Sequence, residues 1–321
     1  RPGSMHPSPP AMPLVLDQVD KRYGSRVAVD GLSFTVPAGS ICGILGPNGA
    51  GKSTTMRMIA GILAPSAGRL DLFGAPPTRA SLRRMGYLPE ERGLYRAMTP
   101  LGAITYLARL RGTPAAVARG RAMAALEAHG LGGFARKRIK TLSKGMAQKV
   151  QILAALAHEP DLIVFDEPFS GLDPVNQGSV EALIRAAAAA GKTVLFSTHV
   201  MEHAERMCDR IVLIAQGQKA FVGTVQEALG HAPRRAILET EGAFDLAAVL
   251  VPQGFRVSAE AASGPGQRRW RVELNTPSDT RRLLGAAVAA GAPLSLFEPT
   301  RATLHEAFVA LVGERAAPRP S

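Results

Sequence analysis

The 321-residue chain lacks long apolar runs, although hydrophobic residues make up 46% of it. A helix needs roughly 18 predominantly apolar residues to cross a bilayer, and the alanine-rich stretch 186–194 is interrupted by Gly191 and Lys192. The hydrophobic content gives ample material for a core, and the length predicts two domains. We therefore expect no membrane-spanning helix in this sequence.

Cysteine is also scarce, since Cys42 and Cys208 are the only two. Two thiols make no disulfide framework, which favours reduced cysteines in the cytosol. No secretory signal is visible. Residues 1–13 begin with Arg-Pro-Gly-Ser before Met5 and are rich in proline, so we expect the scar of an expression tag followed by a flexible N-terminus.

The basic residues lack the pattern of a nucleic-acid-binding surface. The formal net charge is +12, but the short clusters at 136–140 and 281–282 are scattered, and aromatic residues, at 5% of the chain, are not interleaved with them. We expect solvated faces and no nucleic-acid partner, with a secondary attraction to an anionic membrane surface. The chain also has no heptad array, which argues against a long coiled coil.

A glycine-rich segment at residues 46–54, GPNGAGKST, follows a strand-like run at 40–45. Its glycines let the backbone curl, so that N–H groups and the N-terminus of the next helix converge on a phosphate. Lys52 would place its charge between the β- and γ-phosphates of a nucleoside triphosphate, and the Ser53 hydroxyl would coordinate Mg²⁺. The alternative is an ordinary glycine-rich turn. The predicted nucleotide contacts in this loop are Gly46, Asn48, Gly49, Gly51, Lys52, Ser53 and Thr54.

Two carboxylates end a short apolar segment at residues 161–168, DLIVFDEP. The segment reads as a buried parallel strand whose carboxyl end opens onto a ligand site. Asp166 would hold Mg²⁺ through water, and Glu167 would polarise the water that attacks the γ-phosphate. The alternative is a helix cap or a solvated turn.

Two further segments carry candidate phosphate contacts. Ser143 and Gly145 precede a helix-like run at 147–156, and a second anion site of this kind would be used by two copies facing head to tail. The alternative is a simple N-cap at Ser143. His199 follows the apolar strand 193–196; a histidine there is commonly a satisfied polar residue, but here it would lie close enough to donate to a γ-phosphate.

In this order, the motifs between residues 14 and 223 resemble the nucleotide-binding subunit of an ABC transporter. The resemblance implies ATP and Mg²⁺ as cofactors. It makes 46–54 the Walker A loop, Asp166 the Walker B aspartate and Glu167 the catalytic glutamate, with His199 as the switch histidine. Segment 170–173 resembles the D-loop and adds Asp173 to the nucleotide contacts.

The resemblance also implies nucleotide contacts from residues outside the phosphate loop. Ser143 and Gly145 would form the signature that contacts ATP held by the opposite subunit. Tyr23 would stack on adenine, which needs only a flat exposed ring; the alternative is a turn tyrosine beside Gly24.

Two departures from the common family pattern stand out. Lys144 occupies a signature position where glycine is usual, and Met146 lies near the usual glutamine. Glu90 stands where a glutamine would reach Mg²⁺ and the attacking water, and we assign it to both nucleotide and metal. The segment 88–95, LPEERGLY, together with the lysine-bearing signature, resembles the drug-, antibiotic- and sodium-efflux branch of the family, whose members have a C-terminal tail domain and a separately encoded membrane protein.

The predicted fold class is α/β: a P-loop NTPase of the ABC cassette type, with a mixed sheet core, a helical subdomain and a small α+β C-terminal domain. We assign 14–230 to the ATPase domain, 99–157 to its helical subdomain and 231–321 to the C-terminal domain. An antiparallel strand pair is expected near 15–36. In the helical subdomain, one face of a helix is predicted to contain Ile104, Leu107, Ala108 and Leu110. In the C-terminal domain we predict strands at 235–239, 255–259 and 269–274 and helices at 244–251, 279–290 and 303–312.

The leading hypothesis is a cytoplasmic ATPase, peripheral at the inner face of the cell membrane, that dimerises around two Mg-ATP and drives a separate transmembrane permease. Its contact with the membrane would be indirect, through the permease. The alternative is a soluble ABC ATPase acting on ribosomes or DNA. Such proteins commonly have two cassettes in one chain or a long coiled coil, and this chain has one phosphate loop and no heptad array.

Overall fold

The computed structural model describes residues 12–316 except Arg92, Ser263 and Pro277, and side chains within these limits up to residue 313. The predicted N-terminal segment therefore lies almost wholly outside the described residues, as does Arg92 of the LPEERGLY segment. The chain divides into two compact units between Val225 and Gln226, five residues before the boundary we expected. No helix among the described residues is long and apolar enough to cross a membrane.

The first unit alternates strands and helices. In chain order its elements are β1 (Leu14–Tyr23), β2 (Arg26–Val36), β3 (Ile41–Leu45), α1 (Lys52–Ile59), β4 (Ala67–Leu72), α2 (Arg79–Arg83), β5 (Met85–Leu88), α3 (Pro100–Leu110), α4 (Ala115–Ala128), α5 (Lys144–Leu156), β6 (Leu162–Phe165), α6 (Pro174–Ala189), β7 (Thr193–Thr198), α7 (Met201–Met207), β8 (Arg210–Ala215) and β9 (Gln218–Thr224), with single 3-10 turns at Gly132–Phe134 and Ile139–Thr141.

A six-stranded sheet in the order β5-β6-β7-β3-β8-β9 forms the centre of this unit. All its neighbouring pairs are parallel except β8 and β9. Strands from before and after the helical subdomain share the sheet, which confirms the predicted mixed core. The carboxyl ends of β3, β6 and β7 are therefore neighbours at one edge of the sheet, where parallel α/β proteins bind ligands.

Alternate side chains of β6 enter two different cores. Ile163 and Phe165 pack with residues of the helical subdomain, whereas Leu162 and Val164 pack with residues of α1 and of a second sheet. Burial on both faces explains why this strand is apolar at every position. The strand is thus held on both sides, which fixes the direction of the carboxylates that follow it.

The second sheet has the order β2-β1-β4 and is antiparallel. Its first two strands are the predicted pair, and Tyr23 is the last residue of β1. The third strand, β4, was not predicted; its first three residues are exposed and only its last three are buried. The half-exposed pattern with a glycine and an arginine gives no clear strand periodicity.

The helical subdomain consists of α3, α4 and α5. Thr99 accepts a hydrogen bond from the Gly102 N–H and begins α3, and α5 ends at Leu156, so the three helices lie within residues 99–157. One prediction on α3 is wrong. Ile104 and Ala108 are fully buried, but Leu110 is 58% exposed, because six residues of helix place it about 120° around the axis from Ile104.

The second unit begins within α8 (Val225–Leu229), whose first residue lies at the division, and its described residues form four strands and three further helices. Its elements are β10 (Arg234–Glu241), α9 (Leu246–Leu250), a 3-10 turn (Val251–Gln253), β11 (Arg256–Glu260), β12 (Gln267–Leu274), α10 (Asp279–Ala289), β13 (Leu294–Pro299) and α11 (Leu304–Ala316). Each predicted strand and helix of this region is present within a few residues. Strand β13 was missed, because only three of its six residues are even half-buried, which leaves no clear alternation.

The four strands form one antiparallel sheet in the order β11-β12-β10-β13. Through β13 the order of elements is β-α-β-β-α-β, the split βαβ arrangement. One face of the sheet has its own core, in which Leu238 pairs across strands with Trp270. The Trp270 indole N–H donates to the Thr240 hydroxyl at 3.1 Å. This unit therefore has a hydrophobic core independent of the nucleotide-binding motifs.

We expect Leu238→Ala to destabilise the second unit without removing ATP binding. Leu238 is fully buried, and truncating such a leucine costs about 2–5 kcal/mol. Trp270 is the only tryptophan of the chain, so its emission during urea titration reports this unit alone. A fluorescent ATP analogue measures binding in parallel.

The matched control is Val288→Ala, which truncates a side chain that is 63% exposed and should leave both measurements unchanged. Loss of ATP binding in the Leu238→Ala protein would contradict the independence of the two units.

Candidate active site

The glycine-rich loop joins the carboxyl end of β3 to the first residue of α1. Gly51 has φ +103°, and a Cβ added there would lie 2.6 Å from the Ala28 carbonyl oxygen; one added to Gly46 would lie 2.2 Å from that of Ile214. Both positions therefore require glycine. The loop opens onto a cavity of about 440 Å³. Of the predicted loop contacts, those that line it are Asn48, Gly49, Gly51, Lys52, Ser53 and Thr54.

Lys52 lies at the centre of the loop with its ammonium group almost completely buried. Its Nζ donates to the carbonyl oxygens of Gly46 at 2.8 Å and Pro47 at 3.1 Å. The same atom lies 3.4 Å from Glu167 Oε1, and the two side chains are 5% and 6% exposed. A buried cation and anion at this distance hold each other in place, and removing either would leave an uncompensated charge.

Ser53 joins the other two predicted metal ligands. Its Oγ lies 3.2 Å from Glu90 Oε2 and 3.2 Å from Asp166 Oδ1, and one hydroxyl proton serves only one of them at a time. Burial raises the pKa of the Asp166 carboxyl; hydrogen bonds from Ser197 and Ser53 act against this, and the charges of Glu90 and Glu167 reinforce it. The site thus contains more carboxylate than its own donors neutralise.

Ser197, to which the sequence reasoning assigned no role, positions both carboxylates. Its hydroxyl donates to Asp166 Oδ1 at 2.6 Å and accepts from the Glu167 N–H at 2.9 Å. The sequence could have indicated this contact, because hydroxyl residues at the end of an apolar strand are expected to reach carboxylates that end a neighbouring parallel strand. Ser197 is fully buried, so it acts on the carboxylates and does not face solvent.

Glu167 adopts a left-handed backbone conformation with φ +49°. Such a conformation is uncommon for a residue other than glycine and is concentrated at functional sites. Its Oε2 lies 3.0 Å from His199 Nδ1, while Oε1 faces Lys52. The structure therefore brings the two predicted catalytic residues together, with the His199 side chain still 45% exposed.

The donor set fits a magnesium ion that is completed by phosphate. Asp166 Oδ2 and Glu167 Oε1 are buried atoms with no hydrogen-bond partner among the described residues. The described residues contain no cluster of three or more histidine, cysteine or carboxylate side chains arranged to hold a metal by themselves. Mg²⁺ commonly takes one or two carboxylates together with substrate phosphates and water, and Ser53, Asp166 and Glu90 supply oxygen ligands of that kind.

The model of the ABC transporter family matches residues 29–170. An uncharacterised ABC transporter ATP-binding protein of Bacillus subtilis, YhaQ, is 40% identical over 214 residues, which cover 67% of this chain and 72% of the relative. The chain belongs to the ABC transporter ATP-binding protein family. The family hydrolyses ATP, and this protein is accordingly an ATP-binding ATPase subunit.

Other relatives and structures agree. A Nod factor export ATP-binding protein I of Burkholderia lata is 38% identical over 246 residues, covering 76% of this chain and 78% of the relative. A structure described as the ATP-binding subunit of an ABC transporter has a TM-score of 0.62 at 31% identity and covers 67% of this chain and 91% of that one. The structure of cbiO1 from Clostridium perfringens, part of the ABC transporter complex cbiONQ, has a TM-score of 0.61 at 26% identity, with 69% and 92% covered.

Three predicted contacts of this ABC ATPase do not line the cavity around Lys52. Ser143 caps α5 by accepting a hydrogen bond from the Met146 N–H at 3.2 Å, which is the alternative that the sequence left open. Asp173 caps α6 in the same way, accepting from the Asn176 N–H at 2.9 Å, and this hydrogen bond holds the pKa of its carboxyl below the ordinary value. Gly145 packs against Asn176, whose Oδ1 would lie 2.2 Å from an added Cβ.

Tyr23 also lies outside that cavity. It is 47% exposed, and the Lys21 ammonium lies 5.3 Å from the centre of its ring. The residues of the neighbouring strand that line the cavity were missed by the sequence reasoning; they are Arg26, Val27 and Ala28.

The turn between β8 and β9 supplies two more residues that the sequence reasoning missed. Gln216 and Gly217 line the cavity, and the Gly217 N–H donates to the Ala50 carbonyl oxygen at 3.0 Å. Two-residue loops with positive φ at both positions are typical of β-hairpins, but nothing in the local sequence indicates that this hairpin reaches the phosphate loop.

We expect Lys52→Ala to weaken ATP binding roughly tenfold to a hundredfold, since a hydrogen bond to a charged group contributes about 1.5–3 kcal/mol. The nucleotide-free protein should also lose stability, because the buried Glu167 carboxylate loses the cation that faces its Oε1. Titration with a fluorescent ATP analogue and urea unfolding measure the two effects.

Lys192→Ala is the control, since Lys192 lies outside the cavity and donates only a long bond of 3.5 Å to the Glu159 carbonyl oxygen. Equal ATP affinity in the Lys52→Ala and Lys192→Ala proteins would contradict the assignment of Lys52.

Proposed function

We propose that this ATPase is the nucleotide-binding subunit of an exporter, in which two copies close around two Mg-ATP and drive a separate transmembrane permease. The observation that carries the proposal is the placement of Glu167 between Lys52 and His199, at 3.4 Å and 3.0 Å. A carboxylate fixed in this way beside a phosphate loop suits the polarisation of an attacking water.

The chemistry assigns a separate task to each side chain. The Lys52 ammonium exchanges its contacts with the two carbonyl oxygens and with Glu167 Oε1 for phosphate oxygens. Glu167 Oε1 then accepts the proton of the attacking water as the water oxygen bonds to the γ-phosphorus and the bond from that phosphorus to ADP breaks. His199 steadies the other carboxylate oxygen and, being partly exposed, reaches toward the γ-phosphate. Ser53, Asp166 and Glu90 hold Mg²⁺, which supplies charge neutralisation at the phosphate oxygens. Ser197 keeps Asp166 and Glu167 in a fixed relative orientation.

The dimer is supported by residues that are not used within one chain's own cavity. Ser143 and Asp173 are exposed, each at the N-terminus of a helix of at least 13 residues. A helix N-terminus is a favourable place for a phosphate. Because the family resemblance assigns these positions to the opposite subunit's ATP, a head-to-tail pair of copies gives both of them a ligand.

We expect Glu167→Gln to keep ATP binding and to form a stable dimer with Mg-ATP, because the binding contacts survive while water activation is lost. The hydrolysis rate should fall about a hundredfold or more. Size-exclusion chromatography with and without Mg-ATP, together with phosphate release, provides the test.

Glu202→Gln is the matched control on the exposed face of α7, and it should hydrolyse ATP normally. A monomeric Glu167→Gln protein with normal turnover would remove Glu167 from catalysis and leave the dimer unsupported.

An open cavity between the Glu90 loop and the helical subdomain supports the proposal that a permease binds this protein. Its volume is about 560 Å³, and it is lined by Pro89 and Leu94 of that loop and by Leu107 and Leu110 of α3. A helix of the permease would bury the exposed Leu110 in this cavity. Pro89, which lines the cavity, is adjacent in sequence to Glu90, whose carboxylate lies 3.2 Å from the Ser53 hydroxyl. The relatives named for Nod factor export and the neighbour that is part of a transporter complex support an exporter. The protein would then be cytoplasmic and peripheral at the inner face of the membrane.

We expect Leu110→Asp to abolish permease-stimulated ATP hydrolysis and to leave the basal rate unchanged, since Leu110 is exposed and lies outside the nucleotide cavity. The permease is first identified by co-purification from membranes and then reconstituted with each variant. Val117→Asp, on the exposed face of α4, is the control. Equal stimulation of the Leu110→Asp and Val117→Asp proteins would contradict docking in this cavity.

A further inference from the structure

Lys144 and Glu90, the two departures from the common family pattern, line the same cavity. It has a volume of about 350 Å³ and lies beside the catalytic glutamate. Three of its side chains are carboxylates and one is an ammonium. The lining residues are Glu90, Glu91, Lys144, Gln148, Glu167, Ser170 and Gly171.

The position of Lys144 is set by the way α5 docks on the segment after Glu167. Gln148, one turn further along the same helix face, is buried and donates to the Pro168 carbonyl oxygen at 2.9 Å. The Lys144 Nζ lies so close to Gly171 that an added Cβ would be 2.6 Å away. The ammonium is thus directed over the 167–171 segment and into the carboxylate-lined cavity.

The negative charge around Ser53 and Lys52 favours a second cation at the position of the Lys144 ammonium. Asp166, Glu167 and Glu90 lie around Ser53 and Lys52, and the Lys52 ammonium faces Glu167 and two carbonyl oxygens. Glu90 adds a negative charge where the common pattern has a neutral glutamine. Like charges at short range repel one another, so a second cation near Glu90 would offset the additional carboxylate.

We propose that Lys144 is a positioning residue for Glu90: its ammonium attracts the Glu90 carboxylate and couples the Glu90 loop to the first turn of α5. The two departures then compensate each other, and the metal ligand is connected electrostatically to the helical subdomain of the same chain. This inference rests on the proposed place of Glu90 beside the metal.

A zero-length carbodiimide reaction on the nucleotide-free, metal-free protein tests the pairing directly. We expect an amide link between Lys144 and Glu90, identified by mass spectrometry of peptides, and its loss in the Glu90→Gln protein. Lys149, on the same helix, is the internal control and should form no link to Glu90. A link from Lys144 to Glu91 or Glu167 in place of Glu90, or no link at all, would overturn the proposal.

A double-mutant cycle tests the consequence for turnover. Glu90→Gln and Lys144→Ala should each lower kcat about threefold to tenfold and shift the Mg²⁺ concentration for half-maximal rate, while the double variant returns to within about twofold of the unchanged protein. Lys144→Arg should retain most of the rate. The KM for ATP should stay constant throughout, because neither residue contacts the phosphate-loop glycines.

The outcomes separate this inference from the function on which it rests. Additive losses in the double variant, with a raised KM in Lys144→Ala, would mean that Lys144 acts on the opposite subunit's nucleotide and would overturn the proposal. An intact Lys144–Glu90 link combined with unchanged Mg²⁺ dependence in Glu90→Gln would support the pairing but contradict the proposed metal role of Glu90.

Discussion

The close approach of the Lys52 ammonium to the Glu167 carboxylate is the constraint on which the rest of the first unit depends. One charge follows β3 and the other follows β6, and β7 lies between these strands in the sheet. Parallel pairing aligns the three strand ends, so β7 places Ser197 and His199 where they contact the carboxylates. Two buried charges at 3.4 Å require this support, because each would be strongly destabilising alone.

The same arrangement leaves the site chemically incomplete without a nucleotide. Burial raises the pKa of Asp166, two buried carboxylate oxygens lack a hydrogen-bond partner, and Glu167 has a left-handed backbone. These features oppose stability and are typical of binding sites. Phosphate and metal together would supply the missing partners. Glu90 adds to this excess of negative charge. The proposed attraction between Glu90 and Lys144 of α5 would offset the added charge and couple the Glu90 loop to the helical subdomain.

Sequence reasoning identified residues whose spacing is fixed by local geometry. The phosphate loop and the carboxylate pair belong to short segments, so glycine positions and strand ends could be located from their order alone. Gln216 and Gly217 were missed because their contacts join parts of the chain that are far apart, as in the bond from Gly217 to Ala50. The half-exposed strand β13 has too weak an alternation of buried and exposed residues for periodicity to find it, whereas the wrong placement of Leu110 was an error of helix geometry, since Leu110 lies about 120° around the axis from Ile104.

Anomalous X-ray scattering from Mn²⁺, bound in crystals together with a non-hydrolysable ATP analogue, tests the central claim most directly. We predict a single strong peak in contact with Ser53 Oγ, adjacent to Asp166 and Glu90, with the Lys52 ammonium on phosphate oxygens and a water beside Glu167. A metal bound away from Ser53 and Asp166, or an analogue whose phosphates lie outside the loop 46–54, would contradict it.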